Sequence, residues 1–142
     1  MRDQFVAKAS TTIDAPVAKV WGALVDPAMI KQYMFGTTVV SDWKKGSPIG
    51  FKGEWQGKKY EDKGVILDIE PSRLLRYSHF SPLSGLPDVP ANYHHVTIEL
   101  SGKGPQTVVS LSQDNNPTDE ERQHSQKNWE TMLAGLKKLL EK

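Results

Sequence analysis

The sequence predicts an α+β fold in which a strongly curved antiparallel sheet of about seven strands wraps around a long C-terminal helix, with two short helices after the first strand. Three observations carry this prediction. An N-terminal β-type segment precedes two helix starts that each carry a proline, short β-type runs with turn signals fill the middle, and one amphipathic helical pattern ends the chain. Consecutive strands joined by short turns favour an antiparallel meander over parallel strands with helical crossovers.

Composition limits the class of protein. A length of 142 residues suits a single domain that covers positions 1–142. The net charge of +1 gives no electrostatic reason to expect nucleic acid or an anionic membrane surface as a partner. The absence of cysteine excludes disulfides, thiol nucleophiles and cysteine metal sites. No apolar run suits a secretory signal or stable membrane insertion, so we expect a cytoplasmic protein.

The N-terminal elements follow from alternation and from two prolines. Residues 4–13 alternate as a strand, and proline is favoured at the first helical position because its missing N–H has no partner there. Pro16 and Pro27 therefore predict helices over about residues 16–25 and 27–33. Asp26 is a suitable N-cap for the second helix. Helical spacing puts one apolar face on the first helix, formed by Val17, Val20, Trp21 and Leu24.

The middle of the chain predicts six strands. From Thr37 onward, short runs rich in β-branched and aromatic residues alternate with turn signals such as QGKK and GKGP. The two signals predict tight hairpins. The longest connection covers residues 81–90 and contains three prolines, so we expect it to be irregular and to border a functional opening.

The C-terminal segment predicts one long helix. Thr118 and Glu121 have the spacing of a capping box, and acidic residues fill the first turn, where they complement the helix dipole. An apolar stripe at helical spacing predicts the face that packs against the sheet. Its members are Trp129, Met132, Leu133, Leu136, Leu139 and Leu140.

Five sequence motifs in this order resemble a known family. They are IDAPVAKVWGAL, DWKKGSPIGFKGEW, GVILDIEPSRLLRYS, VTIELSGKGPQTVVSLSQ and NWETMLAGLKKLLE, and together they cover almost the whole chain. The chain resembles the activator-of-heat-shock-protein-ATPase-like branch of the START-like, birch-pollen-allergen-like superfamily. The resemblance implies the helix-grip fold, whose members include ligand carriers, chaperone regulators, cyclases and hydrolases. One departure is Asn128, where many members have a glycine before the tryptophan of the last helix.

The space between the sheet and the long helix is the predicted ligand site. The inward residues form either a plain packed core or the lining of a concave, mostly apolar pocket. Strand parity and the helical stripe select the candidates, and the end of the second helix borders one side. The predicted lining is Tyr33, Phe35, Phe51, Trp55, Leu67, Tyr77, His79, His94, Gln113, Trp129, Met132, Leu133 and Leu136.

Four polar residues on the predicted inward faces carry the chemical interest. Tyr77, His79, His94 and Gln113 need partners if they are buried. They either satisfy hydrogen bonds within the core or orient the polar end of a ligand. In an enzyme, the histidines could act as acid or base near neutral pH.

Two further groups of polar residues do not predict a site. Adjacent strand residues face opposite sides, so His94 and His95 are not expected to bind one metal ion. The even numbering of Asp62, Asp68 and Glu70 places them opposite the apolar residues of their strand, which predicts a solvated outer face instead of a carboxylate pair.

These features rank three candidate functions for the protein. We expect a non-catalytic binding module for a small hydrophobic or amphipathic ligand, such as a lipid, polyketide or aromatic metabolite, with no cofactor or metal. A small cyclase- or hydrolase-type enzyme is the alternative, although the common catalytic motifs are missing. A chaperone-associated ATPase regulator, implied only by the resemblance, is a third. We expect a monomer or a weak homodimer.

Overall fold

The computed structural model describes residues 5–34, 36–55, 57–82 and 85–141, and the side chain of Trp55 lies outside the description. The elements are β1 Ala7–Ile13, α1 Val17–Leu24, α2 Pro27–Tyr33, β2 Thr38–Ser41, β3 Pro48–Trp55, β4 Lys58–Glu70, β5 Leu74–His79, a 3₁₀ turn Pro90–Asn92, β6 His94–Lys103, β7 Gln106–Gln113 and α3 Asp119–Leu140.

The strands form one antiparallel sheet of seven, in the order β1-β7-β6-β5-β4-β3-β2. Strands β2 to β7 therefore form the predicted meander, and β1 is added beside β7. The long helix α3 packs against β1 and contacts both short helices. Its buried face is the predicted stripe, of which Met132, Leu133, Leu136 and Leu140 are at most 3% exposed. The helix-grip prediction is confirmed.

The two prolines start two helices, but not in the same way. Pro27 occupies the first turn of α2, and the Asp26 carboxylate accepts a hydrogen bond from the Ala28 amide at 3.0 Å, as predicted. Pro16 instead has an extended backbone with ψ of 155° and is the N-cap residue, so α1 begins one residue later than predicted. Trp21 is half-buried and packs against the core.

Of the two hydrogen bonds of the predicted capping box of α3, the structure contains the one to the Thr118 side chain. Thr118 Oγ1 accepts a hydrogen bond from the Glu121 amide at 3.1 Å, and three acidic residues occupy the first turn. These interactions satisfy and complement the free amides of the helix N-terminus. They fix where α3 begins.

A β-bulge interrupts β4. Ile66 lies opposite Tyr77, but the next pair joins Asp68 to Arg76, so Leu67 is an extra residue in this strand. Such a residue changes the side to which the following side chains point. Strand parity therefore differs before and after Leu67.

Two predictions based on parity are wrong for this reason. Val65 is 40% exposed and Leu67 sits at the bulge, so neither faces the core, whereas Ile69 packs against it as expected. Asp62 points inward, because it lies opposite the buried Phe51 and residues directly opposite in a sheet share a face.

Strands β4 and β5 approach each other closely beside the bulge. A Cβ atom on Gly64 would lie 1.7 Å from the Ser78 carbonyl oxygen, so only glycine fits there. The Lys63 amide donates to the Phe80 carbonyl at 3.0 Å, and the Phe80 amide donates back at 2.8 Å. This contact places Asp62 next to the end of β5.

The interior between α3 and the sheet is nearly filled. The space enclosed there by core residues such as Leu24, Ile30 and Ile98 is only about 20 Å³, close to the volume needed for one water molecule. None of the helices in the described residues is both long and apolar enough to cross a membrane.

Candidate functional site

An open cavity of about 320 Å³ lies where the end of α2, the inner faces of β3 to β5 and the middle of α3 come together. Its volume is at the lower end of the range of small-molecule sites, and its lining combines aromatic with polar side chains. The lining residues are Met34, Thr37, Phe51, Tyr60, Asp62, Tyr77, His79, Ser81, Gln113 and Trp129.

Five of the predicted lining residues meet in this cavity: Phe51, Tyr77, His79, Gln113 and Trp129. They come from strands β3, β5 and β7 and from α3, so elements far apart in the sequence build it.

The other predicted residues occupy different places. Met132 lines a recess of about 180 Å³ that shares Gln113 and Trp129 with the cavity, and Tyr33 lines the small interior space. Leu133 and Leu136 are core residues, buried to 2% and 0% exposure. Leu67 lies at the bulge and His94 lies beside His79, while Phe35 and the Trp55 side chain fall outside the described residues.

Aromatic contacts form the apolar wall. The ring of Phe51 lies 5.5 Å from that of Tyr77 and 5.3 Å from that of His79, centroid to centroid. These separations are typical of favourable aromatic pairs. On the opposite wall, the Trp129 indole N–H donates to Gln113 Oε1, which ties α3 to the end of β7.

The cavity contains a histidine–aspartate pair. His79 Nε2 lies 2.9 Å from Asp62 Oδ2, and the two side chains are 26% and 15% exposed. A carboxylate only accepts, so Nε2 carries the proton of this bond. The other oxygen, Asp62 Oδ1, is buried and has no hydrogen-bond partner among the described residues.

Sequence parity missed Asp62 because it assumed an unbroken strand. The one available signal was the uninterrupted apolar run Val65-Ile66-Leu67, which does not alternate and so gives no parity of its own. The structure resolves that run with a bulge, and the acidic residue upstream becomes part of the inner face.

The two buried tyrosines differ in what their hydroxyls do. The Tyr33 hydroxyl donates to the Ala23 carbonyl at 2.8 Å and holds α2 against α1. The Tyr77 hydroxyl has no hydrogen-bond partner in the described part of the chain, although its ring lines the cavity. Burial raises the pKa of Tyr77 well above its usual value, so this hydroxyl stays protonated and can donate.

His94 extends the polar region across β6. Its ring lies 6.4 Å from that of His79, and its Nδ1 lies 2.8 Å from the Asp114 carbonyl oxygen. A carbonyl accepts, so Nδ1 carries hydrogen and Nε2 is left as an acceptor in the neutral ring. Burial lowers the pKa of His94, which favours this neutral form.

The chemistry available in the cavity is therefore recognition by stacking and hydrogen bonding, with one histidine oriented by a carboxylate. Within residues 5–34, 36–55, 57–82 and 85–141, no group of three or more His, Cys, Asp or Glu side chains is arranged to hold a metal ion.

Two larger hollows lie mainly on the outer face of the sheet and differ from this cavity. One, of about 670 Å³, includes Lys52 and Glu61, and the other, of about 430 Å³, includes Lys8 and Glu99. Neither has an aromatic side chain in its lining, and charged, exposed side chains contribute much of it. They therefore lack the aromatic wall on which a flat ligand stacks in the smaller cavity.

Comparisons with known proteins agree with the fold and identify a family whose model matches the chain. The family model described as Activator of Hsp90 ATPase homolog 1-like protein matches residues 14–141. A protein from Cytophaga hutchinsonii with a known solution structure is 59% identical, with a TM-score of 0.86, and the match covers 99% of this chain and 97% of that one.

More distant structures have the same fold. CalU16 from Micromonospora echinospora is 25% identical with a TM-score of 0.74, over 95% of this chain and 75% of that one. A protein from Colwellia psychrerythraea, described as the Aha1 dimer, is 19% identical with a TM-score of 0.73, and 96% of each chain is covered. A search of the curated proteins gave no match.

Proposed function

The chain belongs to the family of activator of Hsp90 ATPase homolog 1-like proteins, and on that premise we propose that it binds a small apolar or amphipathic molecule, without transforming it, in the open cavity beside α3. The single observation that carries the proposal is the cavity of about 320 Å³ with its aromatic wall and its few polar groups. Concave, mostly apolar sites with a few polar groups are typical of small-molecule binding.

The size of the available space narrows the ligand. The interior of the grip offers only about 20 Å³, so a long acyl chain has nowhere to extend beneath α3. The cavity at its end accepts a compact molecule of one or two fused rings. Among the ligand classes expected from the sequence, an aromatic metabolite therefore fits better than a lipid.

The lining also favours an aromatic ligand. Phe51 and Trp129 face the same cavity from β3 and α3, and flat rings stack well on such surfaces. Met34 adds an adaptable apolar contact from the end of α2.

Titration by NMR tests this proposal. A panel of compact aromatic compounds is added to the ¹⁵N-labelled protein, and shifts are expected at Phe51, Tyr77 and the Trp129 indole N–H. Trp129→Leu should weaken binding about tenfold, because it removes the half-buried indole that lines the cavity from α3. Val40→Ala, on the exposed outer face of β2, is the control and should leave affinity unchanged. If no compound shifts cavity residues at millimolar concentration, the proposal fails.

A catalytic role is the second candidate, and the His79–Asp62 pair favours it. A carboxylate that orients an imidazole is the usual arrangement of a general base. Panel compounds that bind are incubated with the protein and followed by mass spectrometry for a change in mass. If the protein is an enzyme, His79→Gln should abolish conversion and retain binding; unchanged compounds with the wild-type protein leave the binding function alone.

A further inference from the structure

We propose that the ligand of this cavity carries an aromatic O–H or N–H group that donates a hydrogen bond to Asp62 Oδ1. This inference rests on the proposed binding function and names the chemical class that the site selects. A phenol or an aromatic amine belongs to that class, whereas an ether or a plain hydrocarbon does not.

The argument begins with how Asp62 is placed. The bulge at Leu67 and the close contact at Gly64 turn Asp62 inward, where its side chain is 15% exposed. His79 uses Oδ2, and Oδ1 has no partner among the described residues. A buried carboxylate oxygen without a donor costs folding free energy, so a donor supplied by a ligand would remove a cost that the free protein carries.

Among the carboxylate and amide oxygens of the described lining, Asp62 Oδ1 is the one without a donor, and unlike the second ring nitrogen of His79 or the Ser81 hydroxyl it belongs to a charged group. Gln113 Oε1 already accepts from the Trp129 indole, and the hydroxyls of Tyr60 and Thr37 bond to each other at 2.6 Å. A hydrogen bond to a charged acceptor is also stronger than one to a neutral acceptor. The donor of the ligand is therefore expected to be recognised by Asp62.

The Tyr77 hydroxyl narrows the class further. Tyr77 lines the same cavity, and its hydroxyl makes no hydrogen bond within the described residues and stays protonated because burial raises its pKa. It can therefore donate to a ligand oxygen. A phenolic oxygen is able both to donate to a carboxylate and to accept from a hydroxyl, so phenols match the pair of free groups better than amines.

Two matched compounds test the inference. The probes are 2-naphthol, which has the O–H donor, and 2-methoxynaphthalene, which has the same ring system with the donor methylated. Affinities for the full chain are measured by calorimetry and by NMR titration. The wild type is expected to bind 2-naphthol about tenfold more tightly or better, since a bond to a charged acceptor has about that effect.

Substitution of Asp62 tests whether the hydrogen bond to its carboxylate, and not the cavity as a whole, gives the preference for 2-naphthol. Asp62→Ala should reduce the preference for 2-naphthol to within about twofold, while its affinity for the methyl ether stays close to that of the wild type. Asp62→Asn keeps the shape of the side chain, but its single oxygen accepts from His79 Nε2–H and an NH2 donor replaces Oδ1; the preference for 2-naphthol should therefore be lost here too, and this variant serves if the alanine variant does not fold. Asp114→Ala removes a carboxylate that lies 2.9 Å from the His95 ring nitrogen, outside the cavity lining, and should keep the full preference.

The outcomes distinguish this inference from the function on which it rests. Equal affinity of the wild type for both compounds overturns the role of Asp62 and leaves the binding function standing. A preference that survives in Asp62→Ala also overturns it. Failure of both compounds and of the whole aromatic panel to shift cavity residues overturns the two proposals together.

Discussion

The described residues contain two histidine–aspartate pairs, which differ in how many carboxylate oxygens have a hydrogen-bond partner. His79–Asp62 and His95–Asp114 have the same separation of 2.9 Å between ring nitrogen and carboxylate oxygen. In the second pair both oxygens of Asp114 are occupied, because Oδ1 accepts from the His95 amide at 2.6 Å and Oδ2 accepts from its ring. In the first pair Asp62 Oδ1 has no partner in the described residues.

This difference separates a structural pair from one with capacity left for a ligand. His95 and Asp114 are 43% and 32% exposed, face away from the cavity lining and tie the start of β6 to the segment after β7. His79 and Asp62 are less exposed and line the cavity. The same two residue types thus have different roles, which depend on burial and on the number of donors around each carboxylate.

The largest expected effect comes from a substitution that moves the backbone beside the His79–Asp62 pair. Gly64→Ala should lower the free energy of unfolding by about 3 kcal/mol, because the new methyl group meets the Ser78 carbonyl and strand β4 must move away from β5. Urea denaturation measures this change.

Gly102→Ala is the matched control for that variant. Gly102 lies in β6, and a Cβ atom there would have nothing within 4 Å. Its free energy of unfolding should stay within about 0.5 kcal/mol of the wild type, as for other surface substitutions. Equal stability of the two glycine variants would contradict the close approach of β4 and β5.

A smaller change in stability is expected when the carboxylates of Asp114 and Asp62 are removed one at a time. Asp114→Ala should destabilise the protein by about 1–2 kcal/mol, since it removes two hydrogen bonds to His95. Asp62→Ala should change stability by less than about 0.5 kcal/mol or raise it, because the lost bond to His79 is offset by removal of the buried Oδ1 without a partner. Thermal and urea unfolding of both variants decide the order; a larger loss in Asp62→Ala would refute it.

The smallest expected effect concerns pH and His94, which lies between the two pairs. Burial, helped by His79, lowers the pKa of His94, while Asp114 and Glu121 oppose the shift. As pH falls, His94 therefore takes up a proton at a higher pH in the unfolded chain than in the folded protein. The free energy of unfolding consequently falls as the pH drops below about 6.5. His94→Gln should flatten this fall by on the order of 0.5 kcal/mol over one pH unit.

Urea unfolding at a series of pH values measures that slope. His124→Gln, on the exposed side of α3, is the control and should retain the wild-type slope. The same pH dependence in all three proteins would remove His94 as its cause.

Much of the fold follows from local signals in the sequence. Asp26 with Pro27 and Thr118 with Glu121 are short-range interactions, and the structure places both helix starts where these residues predict them. Alternation also predicts the inward faces of β3 and β5, as Phe51 and Tyr77 illustrate. These features depend on neighbours within a few residues, which a single sequence contains.

The candidate site was predicted less completely because it depends on non-local geometry. The inward orientation of Asp62 needs the bulge at Leu67, and the bulge is defined only by pairing with β5. The filled interior depends on how the side chains of α3 and the sheet interlock, so the sequence did not distinguish a deep pocket from a shallow cavity at its end.

The bulge at Leu67 makes the candidate site sensitive to strand regularity as well as to residue identity. Asp62 and Ile69 are an odd number of positions apart, and both face inward only because the bulge adds one residue between them; a strand of the same length without the bulge would keep Ile69 inward and turn Asp62 outward. Every cavity side chain could then remain in the sequence while the carboxylate left the site. Among relatives of the same strand length, the presence or absence of this bulge would thus be a better guide to altered ligand chemistry than overall identity.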